Sequence, residues 1–559
     1  MSLPPEENKR IEMTVALTCC PLLAGEFDDT MAGFHPLDLV NLGPAAVTLP
    51  PSPPARINIA RHCLTDHAHS QPDKTALIIA GPGGSERRWS YAELDLAVRR
   101  LAGGLLALGA RPGDRLMIRM DNDLPYVLAF FAGLAAGLIS FPSSAALTEE
   151  EAEFLLEDSG ATMVVVSDSL AFHHALPEGV RVVDATTLLN LAATGPAIEP
   201  ADTAADDPAF LIYTSGTTGQ PKGVLHGQRV VWGRKPMHQG WLGLGPSDIM
   251  LHPGAFNWTY TLGVGLLDPW SVGATSVLYN GPSDPAHLPD LIERFGITLF
   301  ATVPSLYRRM LKYGNLTPAR MPSLRHGLTA GEPLTPALRD AWRAHTGKEL
   351  YEALGMSEIS TYISTGPGMA LKPGSPGRPQ PGRRITILDP DTSEGAPREL
   401  AVGETGLLAV HNSDPGLMLG YWQRPEEEIL VRRGAWFAGG DLAHLDADGY
   451  VWFHGRNDDI LKVSGYRLSP LEIERVLARH PAVADVAVGE TTINEDLQVL
   501  TAFVVAHDPC VAHRACVERE LLDWSREHLA SYKRPKQIRF VESLPRAANG
   551  KLLRRLLPR

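Results

Sequence analysis

Between residues 56 and about 380, short apolar runs of strand length alternate with longer stretches whose apolar residues recur at helical spacing. TALIIA (75–80) and RLMIRM (115–120) predict strands. YAELDLAVRRLAGGLLALG (91–109) carries apolar residues at i, i+3 and i+4 and predicts an amphipathic helix closed by glycine. The apolar helix YVLAFFAGLAAG follows the second strand. The same order returns in TMVVVS, in ITLFATVP before SLYRRMLKYG (297–314), and in LRHGLTA before a helix starting near Pro336. Alternation of this kind predicts an α/β fold of layered sheets with helices on both faces.

The pattern changes twice more. From 384 to about 455, RITILD, TGLLAVHN and YVWFHG predict strands joined by turns, a small β-rich subdomain. After about 458, a helix (LEIERVLARH), two strands (VADVAVGE, LQVLTAFVVA), a helix at 515–530 and a strand (IRFVES) predict a small α+β unit. Residues 1–55 read as an irregular arm ending in the proline-rich TLPPSPPAR. The expected division is therefore an arm over 1–55, a large domain over 56–457 with its β-rich part at about 384–457, and a C-terminal domain over 458–559. A chain of 559 residues is also too long for one hydrophobic core.

Composition narrows the class. An apolar content of 44% with 21% charged residues suits a soluble globular enzyme. A net charge of −13 argues against nucleic acid as a partner. Residues 459–559 hold 16 Lys/Arg against 13 Asp/Glu, net +3, which leaves −16 for the rest. A basic tail beside an acidic body suits an anionic ligand, and a solvated surface explains it equally well. The five cysteines (Cys19, Cys20, Cys63, Cys510, Cys516) are odd in number and fit no zinc or redox spacing, which predicts reduced thiols and a cytoplasmic location. Residues 13–25, after Lys9 and Arg10, resemble a signal peptide only faintly, because the apolar part is short and Pro21 breaks it. No segment reaches about 18 uninterrupted apolar residues, so no membrane span is expected.

The candidate chemistry centres on YTSGTTGQPKGV (213–224), which follows the apolar strand AFLIY. Gly216 and Gly219 let the backbone approach a polyanion closely. Thr214, Ser215, Thr217 and Thr218 can donate hydrogen bonds to phosphate oxygens, and Lys222 adds a positive charge. Gln220 and Pro221 separate Gly219 from Lys222, which excludes the G-x-x-x-x-G-K-[ST] loop, and the spacing excludes a dinucleotide fingerprint.

SGTTGQPKG resembles the phosphate loop of the adenylate-forming superfamily, which includes acyl- and aryl-CoA synthetases, luciferases and peptide-synthetase adenylation domains. Further motifs follow in the family's order over residues 56–559. In TAGEPLTP (329–336), Gly331, Glu332 and Pro333 match the run that lies along adenine in the family, although a helix-start carboxylate is the plainer reading of Glu332. YEALGMSE (351–358) resembles Y-G-x-T-E. By that likeness Ser357 and Glu358 face the phosphates, and Glu358 holds Mg²⁺, which favours few carboxylates plus substrate oxygens. Leu354 stands where the family often has an adenine-stacking aromatic, and an aliphatic side chain there resembles benzoate-type CoA ligases. Gly355 stands where acetyl-CoA synthetases have tryptophan, which implies a deeper pocket.

HPGAFNWTYTLGVGLLDPW (252–270) matches the acyl-pocket segment, with Phe256, Asn257, Trp258 and Tyr260 as walls; the same aromatics also suit a plain core. Asn257 replaces the Asp that pairs with ammonium in amino-acid adenylation domains, which weakens that reading. The resemblance implies that Asp441 and Arg456 bind the ribose and that Asp458 is a hinge. Gly465 would border the CoA channel, Arg467 would reach phosphate or CoA, and Lys551 would be a mobile catalytic lysine. Lys222, Glu358 and Lys551 are the expected catalytic set. The implied activity is AMP-forming ligation of an aromatic or medium-length carboxylic acid to coenzyme A, using ATP and Mg²⁺, with the C-terminal domain turning between steps. Loading of a carrier protein in trans is the alternative, and the oligomeric state, monomer or homodimer, stays open. A luciferase-like oxygenase needs only the same motifs. A regulatory protein without catalysis is disfavoured by the intact Lys551, Glu358 and Asp441.

Overall fold

Two long sheets carry the body of the chain. The computed structural model describes residues 52–558 except 175, 216–220, 283, 333, 391, 393–396, 457–460, 464–465, 469, 495–496, 508–513 and 546–553. A nine-stranded sheet runs in the order Arg378–Pro379, Ser360–Ser364, Glu349–Met356, His326–Ala330, Leu299–Thr302, Ile249–Leu251, Thr275–Tyr279, Thr75–Ala80, Glu86–Ser90. Its central strands are parallel and its edges antiparallel. A seven-stranded sheet runs from Gly420–Tyr421 through Pro221–Gly227, Pro208–Ser215, Ile139–Pro142, Arg115–Arg119 and Met163–Val166 to Arg181–Asp184.

The predicted helices form where periodicity and caps agree. Tyr91–Ala107 starts with a capping box: the Ser90 side chain accepts from the Glu93 N–H, and the Glu93 carboxylate accepts from the Ser90 N–H at 2.8 Å. Its buried face is Leu94, Val98, Leu101 and Leu105, spaced at three and four. Leu124–Ala135 is apolar on every side and correspondingly buried nearly throughout, beside that first helix.

A six-stranded sheet over residues 385–456 is the expected β-rich part, with Gly406–His411 at its centre. The C-terminal stretch builds a three-stranded sheet from Val483–Asn494, Leu497–Ala506 and Gln537–Phe540, with helices Pro470–Leu477 and Arg514–His528. It has its own core, which includes Leu468, Ile473, Val488, Leu500, Leu521 and Ile538. The fold is α/β, with a large layered N-terminal part and a small α+β C-terminal part. Among the described residues no helix is long and apolar enough to cross a membrane.

One element goes beyond the expectation. The strand before the phosphate loop extends to Ser215, and PKGVLHG (221–227) returns beside it antiparallel, with Thr214 opposite Lys222. PKGVLHG holds two glycines and a proline and lacks clean alternation, so its strand conformation comes from pairing with its neighbours rather than from propensity.

Candidate active site

A cavity of about 530 Å³ opens where both large sheets and the C-terminal part meet. Pro142 and Thr214 line it from the seven-stranded sheet, Ala330 and Leu354 from the nine-stranded sheet, and Tyr466 and Tyr532 from the C-terminal part. Four separated stretches of the chain bring expected site residues to this one space: Thr214; Asn257, Trp258 and Tyr260; Gly331 and Glu332; and Leu354, Gly355 and Ser357.

Local geometry explains several of these positions. Gly331 ends the strand His326–Ala330 with φ +90°, which a glycine adopts without strain. Gly355 lies against the bulge where Glu349–Met356 meets Ser360–Ser364. A Cβ there would stand 2.4 Å from the Ser360 carbonyl oxygen and 2.7 Å from the Thr361 Cα. Backbone packing therefore demands this glycine, independently of any need for pocket depth. The Ser357 carbonyl accepts from His226 Nε2 at 2.9 Å. Burial pushes the His226 pKa down to about 4, so the neutral ring keeps its proton on that nitrogen. The Tyr260 hydroxyl donates to the Thr302 carbonyl at 3.2 Å, and its ring meets His252 edge-on at 4.5 Å.

Other expected residues sit beside the cavity rather than on its wall. Phe256 is not a wall: it is 2% exposed and packs on Tyr126 with centroids 5.4 Å apart, because the apolar core takes it. Glu358 is buried, and its Oε1 accepts from the Tyr421 hydroxyl at 2.7 Å. The Lys222 ammonium lies over the Tyr421 ring at 3.8 Å and pairs with Glu427 at 2.9 Å. Asp441 is buried and stands directly opposite Arg456 across two antiparallel strands. Gly216, Thr217, Thr218, Gly219, Pro333, Asp458, Gly465 and Lys551 lie outside the described residues, as do the side chains of Ser215, Arg456 and Arg467.

Among the described residues no group of three or more His, Cys, Asp or Glu side chains is arranged to hold a metal. One buried carboxylate, Glu358, still fits Mg²⁺, which takes most of its ligands from water and phosphate oxygens.

Three features were missed in the sequence. Glu352 lies within the YEALGMSE motif and lines the cavity, and its Oε1 accepts from the Leu334 N–H at 2.9 Å. Burial raises its pKa to about 7, against the lowering pull of the Leu334 N–H and Arg339. An acid whose folded pKa lies above its unfolded value destabilises the fold increasingly as pH rises between the two. Stability should therefore fall from pH 4.5 to about 7, by on the order of 3 kcal/mol for this group. Glu352→Gln should flatten that slope in urea midpoints and leave the variant the more stable form at pH 8; parallel curves would contradict this.

The second feature is a buried ionic cluster. Arg234 Nε and Nη2 donate to the two oxygens of Asp268 at 2.8 and 2.7 Å, and His238 Nε2 lies 3.1 Å from Asp268 Oδ1. Arg234 Nη1 donates to Ser360 Oγ at 2.6 Å. Ser360 lines the cavity with φ +69°, an uncommon conformation for a non-glycine residue. The third feature is an aromatic chain. Tyr466 meets Trp258 edge-on at 4.7 Å and stacks on Tyr532 at 4.1 Å, 10° from parallel. Residues 30 to more than 200 apart in sequence make these contacts, and no local motif marks them.

Comparison with known proteins shows the family. Residues 64–422 match the family described as AMP-binding enzyme, and residues 472–551 match the AMP-binding enzyme C-terminal domain. The chain belongs to the AMP-binding enzyme family, the acyl- and aryl-CoA synthetase branch of the adenylate-forming enzymes. It is 32% identical to an uncharacterized acyl–CoA ligase of Bacillus subtilis over 86% of this chain and 92% of that one. It is 29% identical to the 3-hydroxybenzoate–CoA ligase of an Aromatoleum strain, over 84% and 91%. The fold resembles Bacillus subtilis o-succinylbenzoate CoA synthetase, a double mutant bound with a product analogue. The TM-score is 0.78 at 28% identity, covering 90% of this chain and 98% of that one.

Proposed function

We propose that the protein is an AMP-forming carboxylic acid:CoA ligase that acts in the cytoplasm on an aromatic or medium-length acid. One observation carries this reading: four separated motif segments line a single cavity at the junction with the C-terminal part. The activities named for its 3-hydroxybenzoate and o-succinylbenzoate relatives support the same class.

The chemistry needs such a site. A carboxylate is a poor electrophile because its leaving group would be oxide. Its oxygen attacks the α-phosphorus of ATP, an acyl–O–P bond forms, and pyrophosphate leaves. Two anions meet in that step, so positive charge must stand where negative charge builds. Lys222 and Lys551 supply it in this proposal, and Lys222 exchanges Glu427 for phosphate. Glu358 would hold Mg²⁺, which neutralises charge on the phosphate oxygens when bound. Thr214 and Ser215 orient phosphates. Gly331, Glu332 and Leu354 border adenine, and Asp441 and Arg456 take the ribose hydroxyls. Trp258, Tyr260 and Asn257 flank the acid. A thiolate then attacks the acyl carbon, the C–S bond forms, and AMP leaves with the C–O electron pair.

The contact of Tyr466 with Trp258 brings the strand Tyr466–Leu468 against the expected acyl wall. The likeness to a synthetase carrying a product analogue fits the same arrangement, so we read this orientation as the thiol-transfer one. A turn about Asp458 would exchange it for the orientation that delivers Lys551.

The deciding experiment is a panel of carboxylic acids with ATP, Mg²⁺ and CoA, read by AMP release and thioester mass. Benzoate-like and medium-chain acids should release AMP and acylate CoA, with acetate poor. AMP release from none would overturn the proposal, and pyrophosphate exchange without CoA acylation would favour carrier loading.

A further inference from the structure

The contact between the C-terminal part and the body is not aromatic alone. Lys533, on the short turn Ser531–Lys533, donates to Glu151 Oε1 at 3.1 Å. Both side chains are mostly covered, at 7% and 16% exposure. Glu151 belongs to the helix Glu149–Ser159 of the body, where its other oxygen accepts from the Thr148 N–H at 3.0 Å and completes a capping box. One carboxylate therefore ties a helix start to a lysine of the C-terminal part. The neighbouring Tyr532 stacks on Tyr466, and Tyr466 packs on Trp258. A second, exposed pair, Arg479 with Glu150 at 3.8 Å, lies on the adjoining surface.

We propose that Lys533 and Glu151 are positioning residues for the thiol-transfer step. Their ion pair holds the Tyr532–Tyr466 stack, and with it the strand Tyr466–Leu468, against Trp258 at the expected acyl wall. This rests on the ligase reading above. The pair joins parts that must separate if the C-terminal part turns, so it favours one half-reaction over the other. An exposed pair would add little; a largely covered one, with one member already fixed by the helix cap, loses little entropy and meets weak screening.

The test uses the full chain and two half-reactions: ATP–pyrophosphate exchange, and transfer from synthetic benzoyl-adenylate to CoA. Lys533→Met and Glu151→Gln should each slow transfer about tenfold more than exchange. Gln keeps the capping interaction. Lys533→Arg should retain transfer, and the double variant should be no slower than either single one. Deuterium uptake in peptides covering 146–156 and 528–534 should rise together in both single variants. Equal loss of both half-reactions, additive losses, or unchanged uptake would overturn the proposal. If the wild type activates no acid while uptake still responds, the ligase reading fails and the assigned step falls with it, while the contact itself stands.

Discussion

Glu358→Gln is expected to lower acyl-adenylate formation by about 10²–10³, the scale for losing one group that stabilises transition-state charge. The amide is nearly isosteric and still accepts the Tyr421 hydroxyl bond that holds Oε1 at 2.7 Å. What disappears is the negative charge. On the proposed role, that charge keeps Mg²⁺ against the phosphates, and a neutral amide is a much weaker ligand for a hard divalent cation. Pyrophosphate exchange should collapse, while thermal unfolding stays within about a degree of wild type. Added Mg²⁺ should restore part of the rate, because the metal's affinity falls before its chemistry does. Full exchange activity in the variant would remove Glu358 from the metal site.

Asp268→Asn should have the largest effect on stability, a loss of about 3 to 5 kcal/mol. Asp268 is fully buried, and its two oxygens receive both Arg234 nitrogens. The substitution leaves a buried guanidinium without its counter-charge, and the cost is the desolvation of that cation rather than the lost hydrogen bond alone. Arg234→Met with Asp268→Leu should lose less than the two single effects added together, since the pair disappears as a unit. Burial raises the Asp268 pKa, but Arg234 and His238 outweigh it and hold the carboxyl below 3.8. The stabilisation is therefore complete above pH 3.8 and fades only as pH falls through the lowered value. Urea midpoints at pH 7 measure the effect; a shift under about 1 kcal/mol would contradict it. The same arginine grips Ser360 on the cavity wall, so catalysis should suffer with the fold.

What the sequence made legible divides along physical lines. Strands such as Thr75–Ala80 and the helix Tyr91–Ala107 were readable because periodicity, caps and glycine stops agree locally. The order of the family's motifs anticipated that Thr214, Trp258, Gly331 and Leu354 would meet at one cavity. Long-range complementarity was not readable. Asp268 looks like any helix aspartate until Arg234 is beside it, and Lys533 looks like a solvated lysine until Glu151 meets it. Phe256 shows the opposite failure: an aromatic within a pocket motif went to the core, because neighbouring positions of an irregular segment face different ways. Gly355 lines the cavity, and the demand for a glycine there comes from the adjacent strand.

The rung joining Asp441 to Arg456 ends two residues short of the proposed pivot at Asp458. On the roles proposed for Asp441, Arg456 and Asp458, whatever grips the sugar at that rung belongs to the stationary side of the swing. The nucleotide can thus stay clasped while the tail changes places, and one AMP moiety serves both halves of the cycle without being handed over.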